Sequence, residues 1–345
     1  MTEPPPLPPE ILFHRYFQNS SRHPENRLAY RGKQDLDALP TPLASFLREV
    51  QDALNEALRN EKQNIAEHVK HPPFHFDYIE ATVPNALAFR FANYSFIGIT
   101  MPLIHRLWDS CTELGKSNAV GALLEVPRTP ESEEAILTVM FQSQLTFLVS
   151  HEYTHHVHGH FSQLAPGSTF LNEILSNSEA GNLEEQAFEV DADGYAVYHV
   201  LSHLITGPRR EQALEILGCA QARPERQDEI LFYSFVMAIA AFLFILAPIS
   251  ADASTIYNRT HPPQAARMNE IMHSAIGWCK QNRPDLVAVL TLSKFQTLMT
   301  VVLAAISGMN GIGDWSGQTA FLASESGSEY SKKLRAHFRK HVQSL

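Results

Sequence analysis

The sequence predicts a mainly helical α+β protein with one small sheet, and three observations carry that expectation. Aromatic and β-branched residues crowd positions 74–100, with Pro84-Asn85 interrupting them, which is the composition of short strands joined by a turn. Apolar residues recur at helical spacing from Ser45 to Val69 and again beyond Thr129. Ile230 to Ala247 is apolar except for Tyr233 and Ser234, and its length fits a buried helix.

In chain order, residues 1–44 are Pro-rich and polar, with five prolines between positions 4 and 9, and are expected to run partly extended along the surface. We treat them as an N-terminal extension to one domain spanning residues 45–345. Ser45 to Val69 reads as a surface helix with a solvated charged face. The last strand of the 74–100 sheet, if it is an exposed edge, can hold an extended peptide by backbone pairing. Thr129-Pro130-Glu131 has the chemistry of a helix start: a capping hydroxyl, proline at the first position and acids in the first turn. Ile136, Val139, Met140, Leu145 and Leu148 imply that this helix is buried as it runs towards Gly159, where it ends. Ala165 to Gly181 carries Pro, Gly, Ser and Asn and reads as a loop that can act as a flap. Helices then dominate to the basic run Lys332, Lys333, Arg335, Arg339 and Lys340, expected to be a solvated face.

Composition limits the function classes. At 345 residues and 44% hydrophobic content the chain can bury a sizeable core. A net charge of −10 argues against a nucleic-acid partner. Three widely separated cysteines, Cys111, Cys219 and Cys279, without a C-x-x-C pair suit a reducing compartment. The N-terminus has neither a basic segment nor an apolar core, so no secretory signal is expected and a cytoplasmic location is.

The most informative stretch is His151-Glu152-Tyr153-Thr154-His155. On a helix, residues i and i+4 share a face, so both imidazoles can reach one zinc ion, while Glu152 points about a quarter turn away and can take a proton from bound water. A third protein ligand must come from elsewhere. His160 falls one residue short of the position required by the H-E-x-x-H-x-x-G-x-x-H pattern, which Phe161 occupies. Glu189 is better placed, because Asp193 lies one turn further on the same face and can accept the second N–H of a metal-bound imidazole. Glu185 is the fallback. His156 and His158 lie off the metal-facing side and read as structural or solvent-facing.

H-E-x-x-H followed by E-x-x-A-D, here Glu189-Val190-Asp191-Ala192-Asp193, resembles the gluzincin metallopeptidases, and within them the HtpX and CAAX prenyl protease group. His160, five residues after His155, fits that resemblance. So do Asn85-Ala86-Leu87-Ala88 leading to Ile97-Gly98-Ile99-Thr100, similar to the group's N-A-F-A segment and edge strand, and Thr260-His261-Pro262-Pro263 with trailing Arg267. Tyr153 and Thr154 depart from the group's pattern at positions that are not ligands. The Lit-type phage-exclusion proteases are a second group of H-E-x-x-H proteins of similar size.

The resemblance implies a zincin core with a small sheet beside the active-site helix, and one Zn2+ per chain held by His151, His155 and Glu189. It implies Glu152 as general base, His261 as the group that stabilises the oxyanion, and Asp193 as the orienter of an imidazole. Arg267 would anchor the local helix or a nearby carboxylate. The substrate would be a polypeptide, and the activity that of a zinc metalloendopeptidase. The alternative is a degenerate zincin that binds a peptide or regulates a partner without cleaving it; an intact Glu152 counts against this. A single membrane crossing at 230–247 would put Glu189 and His261 on opposite sides of a bilayer, so that run is expected to be a buried helix. The oligomeric state is open.

Overall fold

The computed structural model describes residues 7–18, 29–64, 71–163, 170–172, 181–246, 254–310, 312 and 314–343. Among these lie thirteen α-helices, four short 3-10 or π turns and five strands. The helices are α1 (Pro9–Gln18), α2 (Thr41–Asn64), α3 (Met101–Lys116), α4 (Asn118–Leu124), α5 (Pro130–Val157), α6 (His160–Gln163), α7 (Leu183–Leu201), α8 (Arg209–Ile216), α9 (Pro224–Ile245), α10 (Gln264–Asn282), α11 (Leu292–Ile306), α12 (Trp315–Ala323) and α13 (Glu325–Val342). The strands are β1 (Tyr30–Lys33), β2 (Phe74–Ala81), β3 (Ala86–Phe91), β4 (Tyr94–Thr100) and β5 (Phe170–Asn172). The mainly helical α+β class is therefore observed. The chain divides into two compact units: Met1–His105 with Glu152–Leu175, and Arg106–His151 with Ser176–Leu345.

The first unit is built on a mixed sheet in the order β1-β2-β4-β3-β5. β2 and β4 run parallel, while the β1–β2, β3–β4 and β3–β5 pairs are antiparallel. Strands covered on both faces need apolar residues at every position, and Phe76, Tyr78, Ile79, Ala86 to Phe89, Phe96, Ile97 and Ile99 are all buried. Leu12, Phe13 and Tyr16 of α1 pack against Ile79, Leu87, Phe89 and Phe96 on one face. Side chains alternate along a strand, so Phe74, Phe76 and Tyr78 point to the other face. There the Tyr78 hydroxyl donates to Leu47 O of α2 (3.1 Å), and the Phe74 ring lies 4.9 Å from that of Tyr153 at the end of α5.

Three expectations are corrected here. β4, the last strand of the 74–100 region, is interior, paired with β2 on one side and β3 on the other, so it offers no free edge to a peptide. The Ala165 to Gly181 stretch contains β5, paired with β3; residues 165–169 and 173–180, which the flap reading also covers, lie outside the described residues. Within residues 1–44, α1 and β1 are regular elements with buried side chains rather than extended surface chain. Two aromatic-rich turns of α1 supply a face wide enough to cover a sheet, which outweighs the prolines that flank them. The β3–β4 turn at Ala92-Asn93, both with positive φ (47° and 65°), is a second reversal beyond the expected one at Pro84-Asn85.

In the second unit α9 is the buried helix expected from its apolar run: every residue from Ile230 to Ile245 is buried. It is long and apolar enough to cross a membrane, but 94% of its most apolar window is already covered by protein. α11 packs on α9, and α10 and α13 pack on α7. Cys111, Cys219 and Cys279 are buried and unbridged.

Candidate metal centre

α5 begins as its sequence requires. Thr129 Oγ1 accepts from Ser132 N (3.2 Å), proline holds the first position, and Glu131 and Glu133 sit in the first turn. Twenty residues later the helix is still unbroken, and its last turns carry His151, Glu152 and His155, all buried. Gly159, at φ 72°, follows its end in a conformation that costs glycine little.

α7 supplies the carboxylates. Asn182 caps it by accepting from Glu184 N (2.8 Å) and Glu185 N (3.0 Å), and the buried face then carries Gln186, Glu189 and Asp193. Glu189 Oε2 lies 3.3 Å from His151 Nε2, and Asp193 Oδ1 lies 3.0 Å from His151 Nδ1. One imidazole thus meets both carboxylates, with a different nitrogen for each. Glu185, the fallback, is instead bonded to the Asn182 side chain (3.2 Å), back at the cap.

Asp193 is held in turn by α10. Arg267 Nε and Nη2 donate to its two oxygens at 2.9 and 2.7 Å, a bidentate pair inside the protein. Burial pushes the Asp193 carboxyl up, but the Arg267 guanidinium and then His151 more than offset it, leaving it below the usual carboxylate range. An ionised Asp193 favours a proton on His151 Nδ1, which leaves Nε2 as the lone-pair nitrogen that faces Glu189.

His155 follows a parallel arrangement. Its Nδ1 lies 2.8 Å from His160 Nδ1, so one ring donates and the other accepts. If His155 is the donor, its Nε2 carries the lone pair that a metal would take. His160 is therefore a partner of His155. His156 turns away from this face and bonds Phe96 O of β4 (3.0 Å); burial drives its pKa down to about 3, so it is neutral and structural.

His261 reaches the same carboxylate: its Nε2 is 3.2 Å from Glu189 Oε2, while its Nδ1 pairs with Thr260 Oγ1 at 2.9 Å. The turn before it is fastened to the start of α7. Gly181 N donates to Asn258 O (2.8 Å), and Gln186 Nε2 donates to Ile256 O (2.7 Å) and Arg259 O (2.9 Å). A Cβ at Gly181 would lie 2.2 Å from the Arg259 carbonyl carbon, so this approach requires glycine.

Printed contacts aside, hydrogen bonds and ion pairs thus join His151, Glu189, Asp193, Arg267 and His261, and separately His155 and His160, whereas Glu185 and His156 are held elsewhere. His151, His155 and Glu189 are buried, and each offers a ligand atom, all within 4.8 Å of one another, so this group could hold a metal ion. Two imidazoles and a carboxylate are a donor set that suits a divalent transition-metal ion. The sequence reading overlooked Gln186, whose amide carries no metal-ligand signature and whose partners lie some seventy residues away.

Two buried histidines and a carboxylate with ligand atoms this close could hold a metal ion, and Glu152 follows the first histidine on the same helix. The model of the family Peptidase U49 matches residues 115–277, a span that includes every residue from His151 to Arg267 discussed above. The match supports a peptidase, and hence a polypeptide substrate. No curated protein and no solved structure matches the chain.

Proposed function

We propose that the protein is a zinc-dependent metalloendopeptidase in which His151, His155 and Glu189 hold one zinc ion. The carrying observation is the cluster itself: three buried ligand groups within 4.8 Å, with Glu152 on the same helix next to the first histidine. Bound zinc would polarise the scissile carbonyl and lower the pKa of an attacking water towards about 7.

The chain's own residues do the rest. Glu152 accepts the proton that the water loses on attack and delivers it to the leaving amine nitrogen as the peptide C–N bond breaks. His261, beside Glu189, donates a hydrogen bond to the oxygen on which negative charge develops. Asp193, fixed by Arg267, keeps His151 in one tautomer and one orientation. The finer likeness to the HtpX and CAAX prenyl protease group rests on the ordered motifs from His151 to Arg267; the edge-strand part of it falls away with the interior position of β4.

The first test is metal content. Purified protein is expected to carry about one zinc per chain and the Glu189→Ala variant much less. No zinc in either, and none taken up on addition, would overturn the proposal. Glu152→Gln separates an enzyme from a binding module: zinc content should persist while turnover falls by about 10²- to 10⁴-fold. Unchanged turnover would remove Glu152 from the chemistry.

A further inference from the structure

His261 sits on a turn, and a turn alone does not hold a ring in one orientation. The structure braces this turn on both sides with buried glutamines. On the N-terminal side, Gln186 donates through one Nε2 to the carbonyls of Ile256 and Arg259. Its other amide atom, Oε1, accepts from the Tyr330 hydroxyl of α13 at 2.6 Å. On the C-terminal side, Gln318 of α12 accepts from Ala265 N through Oε1 (2.9 Å) and donates through Nε2 to Gln264 Oε1 (2.7 Å). Ala265 is four residues beyond His261, in the first turn of α10, where backbone N–H groups lack partners within the helix.

Both braces depend on residues 315–342, outside the segment 115–277 that resembles a peptidase family. Neither Tyr330 nor Gln186 is exposed at all. Burial raises the Tyr330 phenol well above its ordinary pKa, so the hydroxyl keeps the proton it donates. Packing reinforces the bond: Tyr330 and Leu334 form one apolar cluster with Ile256, Ala187, Val190 and Ala266. The Tyr257 ring meets the Tyr330 ring at 5.9 Å and 68°. In a buried chain of hydrogen bonds each amide is oriented by its other partner, so loss of the Tyr330 hydroxyl leaves Gln186 free to turn and release the carbonyls it holds.

We propose that Gln186, Tyr330 and Gln318 are positioning residues that fix the His261 ring towards Glu189, making the C-terminal helices part of the working site. The catalytic meaning of this orientation rests on the role of His261 in the zinc peptidase reading; the orientation itself does not.

The test is the imidazole NMR spectrum of the full-length protein, with ring nitrogens labelled and His261 assigned through His261→Gln. It is recorded with and without added zinc for the wild type, Tyr330→Phe and Gln318→Leu. Tyr330→Phe keeps the ring and its packing, and Gln318→Leu is an independent second probe. The expected result is a shifted or doubled His261 signal in each variant, with the signals of His151 and His155 unchanged. An unchanged His261 signal in both variants would overturn the proposal. Equal movement of all three histidines would also overturn it, since these residues would then serve the fold as a whole. Because the comparison can be made without metal, failure to bind zinc would count against the peptidase reading and leave this test standing.

Discussion

α7 and α9 belong to the same compact unit and both bury long stretches of side chain, yet they do so by opposite chemistry. α9 buries sixteen consecutive residues from Ile230 to Ile245 that are almost wholly apolar. Its serine returns its hydroxyl proton to the helix's own backbone, Ser234 Oγ to Ile230 O at 2.9 Å. Each large apolar side chain there gains about 1.5–3 kcal/mol by leaving water and demands no particular partner, unlike the buried Asp228 at the start of the same helix, which is paired with Arg210 and Arg283. α7 buries Gln186, Glu189, Asp191 and Asp193 within eight residues. Every one of those groups loses hydration and meets a specific group elsewhere: Gln186 bonds Ile256 O, Asp191 lies beside His341 and Asp193 is held by Arg267, while Glu189 Oε2 faces His151 and His261 in the group that could hold a metal ion. Apolar burial makes a core, whereas polar burial on this scale makes a site.

The comparison can be broken most directly by deleting a buried side chain of α9 and, for α7, the α10 arginine that holds Asp193. Phe235→Ala in α9 should cost about 3–5 kcal/mol through the cavity it leaves, while the zinc content of the protein that remains folded stays at the wild-type level. Arg267→Met should cost a similar amount, about 3–5 kcal/mol, because it strands the Asp193 carboxylate in the interior. The two losses differ in what rescues them. Adding Asp193→Leu to Arg267→Met removes the stranded charge and should restore much of the stability. It should not restore metal binding, which is expected to stay about 10- to 100-fold weaker without the orienting carboxylate. Denaturant unfolding with zinc titration reads both quantities. Full recovery of metal affinity in the double variant would mean that Asp193 acts only as a counter-ion for Arg267.

The same contrast explains what could be read from the sequence. α9 is legible because its signal is local: a run of apolar side chains carries its own evidence of burial. His151, Glu152 and His155 are legible because helical spacing alone places them on adjoining faces, and Glu189 with Asp193 repeats that one-turn logic. Gln186 and Tyr330 are not, since they are 144 residues apart and neither type announces a role. The sheet order is opaque for a similar reason. β1 comes from a proline-flanked segment and pairs with β2 through tertiary contacts, and placing β4 between β2 and β3 requires knowing that β2 and β4 run parallel. Three residues of β5 within a Gly/Ser/Asn-rich stretch have too little pattern to register as a strand before β3 is in place beside them.

A smaller effect sharpens the comparison through pH. Near the end of α7, His199 Nδ1 pairs with Ser150 Oγ at 2.6 Å, its ring stacks on Tyr195, and His203 and Arg209 are its basic neighbours. Burial first, then those two neighbours, lower its pKa from 6.5 to about 4. The unfolded chain therefore takes up this proton more readily than the folded one. Stability from this group is complete above about pH 6.5 and declines as the pH falls towards 4, by about 2 kcal/mol at pH 5. His203, whose pKa is lowered for the same reasons, acts in the same direction. Asparagine at position 199 keeps a group able to bond Ser150 but cannot titrate. The loss of stability between pH 8 and pH 5 should accordingly be smaller in His199→Asn than in the wild type by about that amount, with the carboxylates common to both cancelling in the difference. No corresponding term arises from the buried run of α9, where between Ile230 and Ile245 the one ionisable side chain is the Tyr233 phenol, whose pKa burial raises further from this range. Identical pH dependence in the two proteins would mean that His199 gains access to water in the folded state, and that the polar interior of α7 ends before its last turn.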